Sequence, residues 1–435
     1  MLGNFAFILL MKTMFELLAE QVKSHQVDEQ SPMITVFRLE ITDFGDLLAW
    51  LKAQNTFPQY YLNFRDKARK LAAIGKVRSF SDEISAQHFI HAQNLILLGG
   101  LTFDKQGHFW LPRLLIEQRE TSVMISVFMD NQAPLAQEQA AALDAIKTLQ
   151  NSTALEPLKA QVKPVAQKAD QTEWCHWVAQ AITAIKQGEF TKVVLANESL
   201  FESQQPINAK DFLAESEKKN TGCYHFLYAE NADRTFVGST PERLFERHGA
   251  QVKTEALAGT APMSDDAAQN REQGEWLLHD PKNDGENLLV VKDICDNLQE
   301  FVTDVQVSDV ELKQLRRVQH LRRRIQASLK APFADAACLH AIHPTAAVSG
   351  LPQQPALQFI KNTENFDRTW YAGTLGVMTQ TEGEFCVTIR CAFIEQHKIR
   401  IFAGAGIVAG SVPLLEWQEI ERKASGLVTL LSTGK

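Results

Sequence analysis

Glu416, Glu419 and Lys423 are separated by three and then four residues, a spacing that gathers two carboxylates and an ammonium on one face of a helix. A β-rich run, Ile399-Arg400-Ile401-Phe402, precedes them and ends in Ala403-Gly404-Ala405-Gly406-Ile407, small residues that let backbone N–H groups approach an anion. Together they suit a magnesium-bound polyanion. The competing reading is a tight turn feeding a helix whose charges are simply solvated. Two phosphate-binding readings fail. Gly404-x-Gly406-x-x-x-Gly410 misses the dinucleotide fingerprint by one residue, with too little chain beyond it for the rest of a Rossmann sheet, and no Gly-Lys-Ser/Thr follows.

Four other segments carry reactive side chains at turns or element ends. Phe236-Val237-Gly238-Ser239-Thr240-Pro241-Glu242-Arg243-Leu244 reads as a strand ending in a turn, with Glu242 just past the proline. Thr254-Glu255-Ala256-Leu257-Ala258-Gly259-Thr260 reads as a second small-residue turn. Asp284-Gly285-Glu286-Asn287 opens a predicted helix, with Glu286 at the positive end of its dipole. Cys386-Val387-Thr388-Ile389-Arg390 ends a strand in an arginine suited to a bidentate carboxylate contact.

These residues need a large scaffold. The chain has 435 residues, 45% hydrophobic and 22% charged, with a formal net charge of -8, the composition of a globular enzyme. That charge argues against a nucleic-acid surface. The basic runs Arg316-Arg317 and Arg322-Arg323-Arg324 fall in a predicted helical stretch and read as a solvated or interdomain face. Six scattered cysteines form no CxxC or zinc spacing and fit a reducing cytoplasm. Met1–Leu18 is apolar, but it lacks a basic start and a cleavage site, and Lys12 and Glu16 interrupt it. It reads as an amphipathic first helix, with no membrane association, and Met11 and Met14 are alternative starts.

Residues 31–130 alternate short β-rich runs with turns. A helix is predicted at about 136–150, and the polar segment 151–171 marks a boundary between an N-terminal part, 1–170, and a second part, 171–435. Beyond it, Trp174–Lys186 is amphipathic and closes at Gly188, and Lys192-Val193-Val194-Leu195-Ala196 begins a strand. Further strands are expected at 222–229, 234–238, 383–394 and 398–404, with helices at 268–280, 285–300, 310–330, 356–362 and 413–431. Strands and helices come in runs, which favours an α+β body with large, mostly antiparallel sheets over a doubly wound parallel sheet.

With these segments in this order, residues 172–430 resemble the chorismate-utilising family of isochorismate, salicylate, anthranilate and aminodeoxychorismate synthases. Trp50-Leu51-Lys52-Ala53-Gln54 and Phe57-Pro58-Gln59-Tyr60-Tyr61 extend the likeness toward the menaquinone-pathway branch of the isochorismate-forming members. The resemblance implies a two-layer core of antiparallel sheets with helices packed outside. It also implies Lys192 as the base that activates water and Glu242 as the acid that protonates the departing 4-hydroxyl. Such a pair works near neutrality only where burial and neighbouring charges tune it. Glu286 and Glu419 match magnesium ligands, with Glu416 a neighbouring acid. Arg390, Lys423, Gly404 and Gly406 match positions that hold substrate carboxylates, and Gly259, Thr260, His320 and Tyr371 line the same pocket. For His320 and Tyr371 a packed, hydrogen-bonded role competes with direct contact. Asn283 departs from relatives that carry an acid there.

The resemblance also narrows the nucleophile. Aminodeoxychorismate synthases place a lysine before the Gly-Thr pair, where this chain has Ala258; anthranilate synthases use ammonia and lack the base lysine, present here as Lys192. Water remains, and no glutamine amidotransferase partner is expected. Salicylate synthases also use water but go on to eliminate pyruvate, and carry a threonine near the end of the segment matching His343–Gly350, where Ala347 stands here. The expected reaction interconverts chorismate and isochorismate, for menaquinone synthesis; a salicylate synthase and a siderophore-pathway isochorismate synthase stay open as alternatives.

Overall fold

The computed structural model describes residues 2–158, 161–332 and 334–431, with side chains from residue 12 onward. Twenty strands among these residues form one continuous hydrogen-bonded system in which every pairing is antiparallel. It divides into two wings at the long strand Gly107–Gln118, which pairs with Lys70–Phe80 and Val123–Asp130 in one wing and with Leu97–Leu101 in the other. From Lys70–Phe80 the first wing continues through Gln59–Asn63, Tyr224–Ala229, Thr235–Thr240, Cys391–Glu395 and Lys398–Ile407 to Lys192–Ser203. From Leu97–Leu101 the second runs through Thr374–Met378, Glu382–Val387, Arg243–His248 and Gln251–Pro262 to Val318–Leu329. Strands from before and after residue 170 are therefore neighbours in both wings.

The wings pack against each other through a shared apolar layer. Tyr60, Phe226, Tyr228, Phe236 and Phe393 of the first wing belong to the same buried cluster as Leu98, Phe245, Leu375 and Phe385 of the second, and the Tyr60 hydroxyl donates to Gly376 O across the interface at 2.8 Å. Helices cover the outer faces. Against the first wing, Phe15, Leu18 and Val22 of Leu2–Ser24 are buried while Lys12, Glu16 and Glu20 are exposed, the amphipathic first helix anticipated from sequence. No helix among the described residues is long and apolar enough to cross a membrane.

Three local expectations are corrected. Residues 310–330 are not a helix but the strands Glu311–Gln314 and Val318–Leu329. Arginine, glutamine and leucine are good helix formers locally, but the segment pairs along its length with Gln251–Pro262, and β structure is decided by such neighbours. The arginines of this strand then find carboxylates: Arg322 and Arg324 pair with Glu311, and Arg323 with Asp284.

The predicted strand 383–394 is two strands in different wings, Glu382–Val387 and Cys391–Glu395. The crossing between them puts Arg390 in the left-handed region at φ 52°. The third correction concerns Glu286. Its helix is Pro281–Leu298, opened by Asp280, whose carboxylate accepts from Asn283 N, with Pro281 in the first turn. Glu286 therefore sits in the second turn, where the helix dipole has faded.

Candidate active site

A cleft lies where both wings meet the helices Pro281–Leu298 and Pro413–Leu431. Its walls include Glu242, Ala258, Gly259, Thr260, Glu286, His320, Ala347, Tyr371, Arg390, Gly404, Gly406, Glu419 and Lys423. The structure thus gathers every site residue predicted from sequence onto one surface except Lys192. That side chain is fully buried one layer behind the wall, its Nζ 3.2 Å from Glu286 Oε1 and without a hydrogen bond of normal geometry.

The glycines explain how Lys192 relates to the cleft. Gly404 and Gly406 do not form a loop; they lie inside the strand Lys398–Ile407, paired with Ala196 and Val194. What they supply is space. A Cβ at Gly406 would collide with the Glu286 carboxylate and come 3.0 Å from Lys192 Cε, and one at Gly404 would come 2.7 Å from the Tyr371 hydroxyl. Gly406 leaves the room in which the Lys192 side chain and the Glu286 carboxylate meet behind the cleft wall. Gly259 also lies within a strand, at a bulge with φ 82° between Ala258 and Thr260. Asn283 fixes that bulge, its Oδ1 accepting from Thr260 N at 3.1 Å.

Glu242 is buried on the short connection after Thr235–Thr240. Burial, then the nearby Glu255 carboxylate, push its pKa up to about 8, with Lys192, Lys423 and Arg65 pulling the other way. Glu255 is itself held below the ordinary range: burial would raise it, but Arg65, at 2.6 Å and 3.0 Å from its two oxygens, outweighs that. Arg65 also donates to Pro241 O, so one guanidinium from the N-terminal part steadies both the loop carrying Glu242 and the carboxylate that tunes it. Nothing in the sequence marks Arg65, because its partner is 190 residues away and the segment around it reads as an ordinary turn.

Elsewhere in the lining, burial and then Arg390 and Lys423 push His320 down to about 3, so the imidazole is neutral. Its Nδ1 lies 3.2 Å from Gly259 O, a group that only accepts, and its Nε2 lies 3.3 Å from Arg390 Nη2, a group that only donates. The proton is therefore on Nδ1. Arg390 has no carboxylate partner among the described residues, which leaves its guanidinium available to an anion in the cleft. Tyr371 lies nearly parallel to Phe402, ring centroids 5.1 Å apart, and forms a flat apolar wall.

Glu286 comes from Pro281–Leu298 and Glu419 from Pro413–Leu431. Each faces a lysine: Glu286 meets Lys192, and Lys423 lies 2.6 Å from Glu419. Glu416 pairs with Lys282 at 3.0 Å, and the Lys282 charge also feels Glu286 and Glu419. Burial and then Glu419 raise the pKa of Glu416, whereas Lys423 outweighs burial and lowers that of Glu419. Carboxylates lying beside three lysines are the hard oxygen donors that magnesium takes. They are too few for an all-protein cage, so such an ion would complete its shell with substrate and water.

The fold and cleft define a class of protein, and sequence comparison agrees. Residues 96–432 match the family described as chorismate binding enzyme, and the chain belongs to that family. Isochorismate synthase MenF of Pasteurella multocida is 55% identical over 94% of this chain and 96% of its own length, and MenF of Escherichia coli 40% identical over 90% and 92%. The solved structure of E. coli MenF, the menaquinone-specific isochorismate synthase, superposes with a TM-score of 0.91 at 38% identity, covering 97% of this chain and 100% of that one. Anthranilate synthase component I from Streptococcus pneumoniae shares the fold at a TM-score of 0.63 and 19% identity.

Proposed function

We infer that this chain is an isochorismate synthase serving menaquinone synthesis, converting chorismate reversibly to isochorismate. The observation that carries the reading is a buried carboxyl, Glu242, protonated up to about pH 8, in one cleft with Gly406 and Glu286, against which the buried Lys192 packs. In the proposed reaction Lys192 acts as the uncharged amine and takes a proton from water as the water oxygen bonds to ring C2. The two ring double bonds shift and the C4–O bond breaks. Glu242 gives its proton to the departing hydroxyl, which leaves as water, so substrate and product are isomers.

Arg390 and Lys423 hold carboxylates of the substrate, and Gly404 and Gly406 let it approach the backbone. Tyr371, Gly259 and Thr260 shape the pocket, and neutral His320 accepts from Arg390. Glu286 and Glu419 would hold magnesium, which supplies positive charge to a bound substrate carboxylate. All these residues lie in 171–435, which we take as the catalytic part; 1–170 completes the wings and supplies Arg65. Ala258 lines the cleft where aminodeoxychorismate synthases have their lysine, and Ala347 where salicylate synthases have threonine. Both favour release of isochorismate.

Chromatography of the products formed from chorismate and Mg²⁺ tests this reading: isochorismate should accumulate, and salicylate with pyruvate as the main products would replace it with the salicylate-forming alternative. Chelation by EDTA should lower turnover at least about 10²-fold, with recovery on adding Mg²⁺; full activity in EDTA would remove the metal from the account.

The basic limb of the kcat/KM profile should fall near pH 8, because Glu242 donates only while protonated and loses that form as pH rises. Glu255→Gln removes a negative charge that favours the protonated form and leaves the Arg65 charge less compensated. Both effects lower the Glu242 pKa, so the limb should move to lower pH; a limb that stays or moves up contradicts the tuning role. Gly406→Ala should lower kcat by about 10²-fold by displacing Glu286 and Lys192. Wild-type kcat in that variant would show that the room at Gly406 is not needed.

A further inference from the structure

A second depression opens on the outer side of Arg390 and Lys423, sharing those two residues with the cleft. Its wall includes Thr221, Cys223 and the turn Leu315-Arg316-Arg317, which joins Glu311–Gln314 to Val318–Leu329. Thr221 and Arg316 are exposed, whereas Cys223 and Val318 are buried, so the depression runs from solvent inward toward Arg390. Leu315 N and Met263 N fix the turn by donating to Val318 O and Arg317 O, both at 2.9 Å.

Its charge is one-sided. Among the described residues no Asp or Glu lines it, and neither Arg316 nor Arg317 makes an ion pair or a side-chain hydrogen bond. Arg390 has only neutral His320 as its side-chain partner, and Lys423 alone is balanced, by Glu419. The contrast with Arg322, Arg323 and Arg324 in the strand that follows the turn is sharp, since each of those is paired with a carboxylate. In a chain of net charge -8, three uncompensated guanidinium groups along one path make a local positive field that attracts anions.

We propose that this depression is a vestibule for the dicarboxylate substrate, with Arg316 and Arg317 capturing a carboxylate and passing it to Arg390. The proposal rests on the functional reading above and adds two substrate-contacting residues outside the reaction cleft.

The test compares wild type, Arg316→Gln/Arg317→Gln and Arg316→Lys/Arg317→Lys with chorismate at about 20 mM and about 0.5 M NaCl, a range over which screening shortens the reach of exposed charge severalfold. The glutamine variant should keep wild-type kcat and raise KM roughly five- to tenfold at low salt, the gap closing to less than about twofold at high salt. The lysine variant should retain most of the wild-type KM. An unchanged KM at low salt, a rise that persists at high salt, a matching fall in kcat, or no rescue by lysine would each overturn the vestibule. If wild type converts chorismate to another product, the functional reading fails while the salt-dependent KM comparison still decides the vestibule.

Discussion

Lys192→Ala and Glu242→Gln should each leave a folded protein whose kcat is lower by about 10²–10⁴-fold, the usual worth of a positioned general acid or base. Lys192 projects from the strand Lys192–Ser203 behind Gly406 and touches Glu286, so removing it deletes the proposed base and the neighbour of one proposed metal ligand. Glutamine keeps the volume of Glu242 and the hydrogen-bonding capacity of its end, but it has no acidic proton to give. Burial already keeps the Glu242 carboxyl protonated up to about pH 8, so the neutral amide costs the site little and the loss should appear in kcat, with the thermal midpoint nearly unchanged. Turnover within about threefold of wild type in either folded variant would contradict these roles.

The largest stability effect is expected at Arg368. Its guanidinium lies over the Phe103 ring at 4.3 Å, pairs with buried Glu364, and donates to Val348 O at 2.9 Å and Val194 O at 2.7 Å. Glu364 in turn accepts from Ala196 N at 2.8 Å. One ion pair therefore ties the strand that carries Lys192 to the segment that carries Ala347, and both Val194 and Val348 line the cleft. Arg368→Ala strands a buried carboxylate and frees two carbonyls, which should cost about 3–5 kcal/mol in denaturant unfolding. A loss below about 1 kcal/mol would show that the pair is not what joins the two segments.

Glu416, Glu419 and Lys423 could be placed on one helix face from spacing alone, because helical periodicity is a local property and Pro413–Leu431 is a regular helix. The antiparallel two-layer body was legible from the runs of strands and from the family resemblance. What sequence could not supply was anything decided by distant pairing. The arginine-rich stretch 318–329 favours helix locally and is a strand because Gln251–Pro262 lies beside it. Arg390 appears to end one strand only when its segment is read in isolation; in the fold it marks the crossing between wings. Gly404 and Gly406 have the composition of an anion-binding loop, yet they sit inside a strand, where they make room for side chains from other elements. Arg65, which steadies the loop of Glu242, carries no motif at all, and Glu255, which tunes Glu242, falls in the segment Thr254–Thr260 without any local mark of that role.

The most direct test of the account is to start the reaction in H₂¹⁸O and locate the label in isochorismate formed at early times. Attack by solvent water, with Lys192 as base and Glu242 protonating the leaving hydroxyl, predicts one ¹⁸O at C2 in essentially every product molecule. Isochorismate formed with unlabelled oxygen at C2 would mean that the C4 hydroxyl migrates within the substrate, and the roles assigned to Lys192 and Glu242 would not stand.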